Sequence, residues 1–197
     1  MDSSELSSIE QLEQEFEKAS SENKIHIIIR LTEKYIDTYP SKVIELCRQG
    51  FELLKEYPDN AKLLTLLSDI SWAYQYLGNY QDSLAEAFRY YNTALEAEVK
   101  EHEAKALNTI GVIYWRLSSF EEAMEYILKS IDIYEELGNR RGLSSSYNNL
   151  GILNESLNDI DKAIVNYSTA LSICRELGEE YESAGTARRI ANHGPDD

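Results

Sequence analysis

The feature that most constrains this chain is a repeat of 40 residues that recurs without a gap. Gly111-Val112-Ile113 returns as Gly151-Ile152-Leu153, Ala123 as Ala163 and Ile127 as Tyr167. Leu137-Gly138 returns as Leu177-Gly178. A fixed period of this size marks an array of stacked supersecondary units, each burying its apolar face on its neighbours. Such an array predicts one elongated all-α domain rather than the one or two closed domains that 197 residues would otherwise suggest.

Each unit reads as helix A, a tight turn, helix B and a link. From Ala104, Leu107, Ile110, Gly111 and Tyr114 fall at i, i+3, i+4 and i+7, one face of a helix. Gly111 leaves room where helix B approaches. Ser118-Ser119 breaks the helix, and Glu121 and Glu122 follow at the positive end of helix B. Phe120, Ala123, Ile127, Ile131 and Tyr134 form the buried face of helix B, and Gly138 stops it as a left-handed cap. Tyr147, Leu150, Gly151 and Asn154, then Ile160, Ala163, Tyr167, Ala170 and Cys174, repeat the pattern up to Gly178.

Stepping back along the period places units at 24–63, 64–103, 104–143 and 144–183. Residues 1–23 read as an acidic capping helix with Leu6, Ile9, Leu12 and Phe16 on one face. Residues 184–197 read as a C-terminal cap or a truncated repeat helix. In residues 80–98 the register of helix B is ambiguous, because Tyr90 to Glu98 also fits a shift of four residues with a longer helix. Apolar faces at both termini, Ile190 included, predict a sticky end and weak homodimerisation.

Charge narrows the partners. Lys and Arg number 19 against 35 Asp and Glu, a formal charge of -16. This repels nucleic acid and anionic lipid over most of the surface. No apolar run is long enough for a membrane span, and the acidic N-terminus lacks a signal-peptide core. Cys47 and Cys174 lack framework spacing, which suits reduced thiols and a cytoplasmic location. His26, His102 and His193 fall in different units and make no metal-ligand spacing with the cysteines. No phosphate loop or nucleophile–base pattern appears. The expectation is a protein that is not an enzyme and needs no cofactor.

The units resemble tetratricopeptide repeats. Leu107, Ile110-Gly111, Tyr114, Phe120 and Ala123 carry the family pattern, as do Tyr147, Leu150-Gly151, Ile160, Ala163, Tyr167 and Ala170. The period of 40 and the Glu135-Glu136-Leu137-Gly138-Asn139 closure resemble the longer-helix variety of polarity adaptors and bacterial regulators. Ser71 stands where the pattern asks for Gly, and Ser83 where it asks for Ala. The resemblance implies a right-handed α-solenoid of antiparallel helix pairs, with helix A faces lining a concave groove that binds a peptide or helix of a partner protein. The alternative it implies is an N-terminal sensory or dimerisation domain of a larger bacterial signalling protein, of kinase or nucleotide cyclase type.

On that scheme the groove shows Ser68, Trp72 and Gln75, then Asn108, Val112 and Trp115, then Asn148, Ile152 and Glu155. Lys105, Arg116, Arg188 and Arg189 fall at its edge. Asn108 and Asn148 occupy equivalent positions, and a carboxamide both donates to and accepts from a peptide backbone. The plainer reading is that each bonds within its own turn. Trp72 and Trp115 read either as groove anchors or as packing between repeats.

Overall fold

The computed structural model describes residues 3–179, 186, 187, 189 and 190, with side chains from Ser8 onward. These residues form α1 (Ser3–Lys18), α2 (Ser21–Tyr35), α3 (Pro40–Glu56), α4 (Asn60–Tyr76), α5 (Tyr80–Glu96), α6 (Lys100–Arg116), α7 (Phe120–Leu137), α8 (Arg140–Ser156) and α9 (Ile160–Leu177). A further short helical stretch covers Thr186–Ala187 and Arg189–Ile190. Among the described residues there is no strand.

Helix starts follow a strict cadence of 20 residues from α4 onward: Asn60, Tyr80, Lys100, Phe120, Arg140 and Ile160. The turns keep the same beat. Gly78, Ser118 and Asn158 are left-handed between helix A and helix B, and Glu98, Gly138 and Gly178 are left-handed in the links. Each A helix begins three to four residues before the unit starts at 24, 64, 104 and 144 read from sequence. In α4 and α8 a polar cap precedes the helix, ahead of the first apolar residue of the pattern. Asp59 accepts from the backbone N–H of Lys62 at 3.0 Å, and Asn139 from that of Gly142 at 2.9 Å. The ambiguity over residues 80–98 also resolves. The α5 helix has 17 residues against 18 in α7 and α9, with no additional turn. Ser83, Ala87 and Ala94 are buried at the positions of Ala123, Ile127 and Tyr134, so the 40-residue register carries through.

The chain divides into two compact units, up to Ala97 and from Glu98. In the first, α1 packs on α2, α2 on α3 and α4, and α3 and α5 on α4. Its core holds Ile9, Leu12, Ile25, Ile28, Val43, Cys47 and Leu66. Ile9 and Leu12, two of the apolar residues behind the expected weak homodimer, are thus covered by the chain itself. The side chain of Leu6 lies outside the described residues. Ser71 and Ser83, which depart from the family pattern, answer each other across α4 and α5. The Ser83 hydroxyl donates to the Ser71 carbonyl at 2.7 Å, and the Ser71 hydroxyl to the Ser83 carbonyl at 3.2 Å.

In the second unit α6 packs on α7, α7 on α8 and α8 on α9, with α6 and α8 side by side. Glycine permits the A–B contact. A Cβ on Gly111 would lie 2.6 Å from Ile127, and one on Gly151 2.5 Å from the Tyr167 ring. Both neighbours are fully buried, so neither can swing away.

Candidate functional site

The helix A faces of the second unit supply the site. Because α6 and α8 lie side by side, their exposed stripes form the walls of a cleft of about 290 Å³. Val112 and Ile152 give it an apolar lining, beside the Trp115 ring. Asn149, Glu155 and Ser156 add polar groups, and Arg116 and Arg189 bring positive charge to its mouth.

The cleft's side chains are held in place. The Trp115 indole N–H donates to the Ser156 hydroxyl at 2.7 Å, and the Arg116 guanidinium lies 4.5 Å from the Trp115 ring centroid. The indole N–H is therefore occupied, and one face of the ring lies under Arg116. Asn149 donates to the Asn108 carbonyl oxygen at 3.2 Å. That bond uses one N–H of Asn149 and the side-chain oxygen of Asn108. The Tyr167 hydroxyl donates to Glu155 at 2.6 Å, with the Arg189 guanidinium 5.9 Å from its ring centroid. Burial first, and then the Glu155 carboxylate, push the Tyr167 hydroxyl above its ordinary range, so it keeps its proton and fixes Glu155.

The residues expected from sequence distribute unevenly. Val112, Trp115, Ile152 and Glu155 share the cleft. Asn108 and Asn148 do not come together. Asn108 meets Asn149, whereas Asn148 lines a neighbouring cavity of about 380 Å³ with Ser144, Ser145 and Cys174. The cause is visible in the spacing. Asn108 meets Asn149 and Trp115 meets Ser156, both 41 residues apart, so the contact register runs one residue beyond the 40-residue equivalence. Lys105 is exposed, and Arg188 lies outside the described residues. Ser68, Trp72 and Gln75 belong to the first unit, where all three are half-buried. Trp72 stacks on Tyr76 with ring centroids 5.1 Å apart and packs against that unit's core.

Both cysteines are buried. Burial, followed by Asp69 and Glu86, drives the Cys47 thiol far above its ordinary range, which keeps it a buried thiol and no nucleophile. Cys174 is buried with the Ser144 hydroxyl 2.9 Å away. His26 is exposed in the first unit, His102 is half-buried in the second, and His193 lies outside the described residues. Among the described residues no group of three or more His, Cys, Asp or Glu is placed to hold a metal ion, and no helix is long and apolar enough to cross a membrane.

Comparison with known proteins fits this geometry. A tetratricopeptide repeat family model matches residues 102–176, which spans α6 to α9. Tetratricopeptide repeat protein 29 of Trypanosoma brucei brucei is 22% identical over 156 residues. Residues 102–176 match the tetratricopeptide repeat. The match to the Trypanosoma protein covers 78% of this chain and 32% of that relative, so the chain spans about a third of the relative's length. Among solved structures, aspartyl phosphate phosphatase F from Bacillus subtilis superposes with a TM-score of 0.85 at 21% identity, over 95% of this chain and 51% of that one. A Rap protein complexed with Competence and Sporulation Factor superposes with a TM-score of 0.80 at 14% identity, over 96% and 58%. At these identities the likeness is one of fold, the all-α helical repeat.

Proposed function

We propose that this chain is a non-catalytic protein-interaction module that seats a peptide or helix of a partner protein on the helix A face of its second unit. The observation that carries the reading is the α6–α8 cleft. An apolar lining of Val112 and Ile152 lies beside a fixed carboxamide pair and the Trp115 ring. Such a surface suits an extended chain or a short helix, which needs backbone partners and one or two apolar sockets. A Rap protein of the same fold, complexed with Competence and Sporulation Factor, supports the reading that such an array takes a partner. The first unit offers Ser68, Trp72 and Gln75 on its own A helix, and these are proposed as further contacts. Lys105 and Arg188 are proposed at the edge of the second unit's face.

A second reading is that the array serves as the input segment of a longer signalling protein. It is favoured by coverage, since the chain matches 51% of the phosphatase and 58% of the Rap protein. Both readings use the same cleft, and a cytoplasmic setting suits either.

The test is calorimetry on a partner segment recovered with the intact chain. Trp115→Ala with Asn149→Ala is expected to weaken binding about tenfold or more, which is ~1.4 kcal/mol. Unaltered affinity with an unaltered melting midpoint would place the partner elsewhere on the surface.

A further inference from the structure

The first unit carries a trough on a different set of helix faces. The α1 and α3 helices both pack on α2, and between them lies a trough of about 460 Å³. One wall is a single stripe of α1, with Glu10, Glu13, Gln14 and Glu17 at i, i+3, i+4 and i+7. The other is the matching stripe of α3, with Lys42, Glu45, Leu46 and Gln49. Its base is apolar, formed by the half-buried Phe16 ring with the Lys24 ammonium 4.9 Å from its centroid, over the buried Leu31 and Leu46. Two parallel stripes of that length run on the order of 10 Å, about two helical turns.

The charge of this trough is one-sided. Its walls hold four glutamates and one lysine. That lysine is already used. Lys42 bonds both Glu13 and the Tyr35 hydroxyl and lies 4.4 Å from the Tyr35 ring centroid. Glu10, Glu17 and Glu45 are exposed along the rim. Glu45 takes only a long contact of 3.4 Å from Gln49 on its own helix. An apolar base under a rim of net negative charge is the complement of a helix with an apolar stripe edged by lysine or arginine. A second copy of this chain is a poor occupant, because each copy carries a formal charge of -16.

We propose that the trough between α1 and α3 is a docking site for a cationic amphipathic helix of another protein. Its apolar side chains enter over Phe16, Leu31 and Leu46, and its lysine or arginine residues meet Glu10, Glu17 and Glu45. The site is separate from the helix A cleft of the second unit and does not depend on it.

The experiment uses the full chain and an ~18-residue Lys/Leu peptide with leucines at i, i+3, i+4 and i+7, about 27 Å long as a helix. Calorimetry is run at about 0.15 M salt, where distant charges are screened. A scrambled peptide of the same composition and a version with Glu for Lys serve as comparisons. Glu10→Lys, Glu17→Lys and Glu45→Lys together should weaken the patterned peptide by about tenfold or more. The same charge change on α7, as Glu121→Lys, Glu122→Lys and Glu136→Lys, should weaken it by less than about threefold. If the first triple variant fails to fold, Gln14→Lys with Gln49→Lys tests the same walls. Equal loss in both triple variants, equal binding of the scrambled or acidic peptide, or a dimer in sedimentation that the rim variant dissociates would each overturn the proposal.

Discussion

Ser118 sits at φ 61°, where the equivalent turn residues are Gly78 and Asn158. A left-handed conformation costs an ordinary side chain roughly 1–2 kcal/mol, whereas glycine and, more weakly, asparagine tolerate it. Ser118→Gly should therefore stabilise the protein by about 1 kcal/mol in urea denaturation, and Asn158→Gly should change it little. Gly151 behaves in the opposite sense. Its Cβ would meet the fully buried Tyr167 ring at 2.5 Å, and overpacking of that kind costs roughly 1–3 kcal/mol. Gly151→Ala should lower the melting midpoint even though alanine favours a helix by about 1 kcal/mol over glycine. Glu13 gives a pH signature. Hydrogen bonds from Lys42 and then Tyr35 hold its carboxyl below the ordinary range. The unfolded chain then binds a proton more readily than the folded one. The contribution is complete above the ordinary carboxylate range and is lost as pH falls through the lowered folded value. The pair is half exposed, so its effect belongs to the ~0.2–1 kcal/mol range of surface ion pairs. Glu13→Gln should flatten the acid limb of stability against pH by that amount, and an unchanged limb would assign the loss to other carboxylates.

At the scale of elements, helix starts differ in how they are capped. The Asn139 side chain accepts from the Gly142 N–H at 2.9 Å and donates to Glu101 at 2.9 Å, whereas Ser119 makes no side-chain cap bond. Asn139→Ala should cost on the order of 1 kcal/mol, and Ser119→Ala only a few tenths. Equal losses in chemical denaturation would mean that the caps do not set the helix starts. The same asymmetry explains what sequence could and could not reveal. The 40-residue register, the close approach at Gly111 and Gly151, and the stops at Gly138 and Gly178 were legible because each is a steric requirement on one residue. Unit boundaries read three to four residues late because the apolar pattern begins after the polar first turn. In the cleft, Val112, Trp115, Ile152 and Glu155 were legible from helix periodicity. Asn149 and Ser156 were not. Equivalence in sequence runs at 40 residues, but contact between neighbouring A helices runs at 41, and only packing reveals that offset.

For the molecule as a whole, the balance of charge and surface distinguishes the two proposed contacts. A formal charge of -16 keeps the chain soluble and draws basic segments, fastest at low salt. The α6–α8 cleft stands against this background with Arg116 and Arg189 at its mouth and an apolar lining beneath, and on the proposed reading it selects by shape and backbone bonding. The central claim is that a partner segment lies in that cleft. Photocrosslinking tests it most directly, with a photoreactive residue placed at Val112, at Ile152 or, on the outer face of α7, at Glu136. The expected result is that positions 112 and 152 both crosslink to one contiguous segment of one protein and position 136 does not. Crosslinking of the same partner from position 136, with none from 112 or 152, would contradict the account.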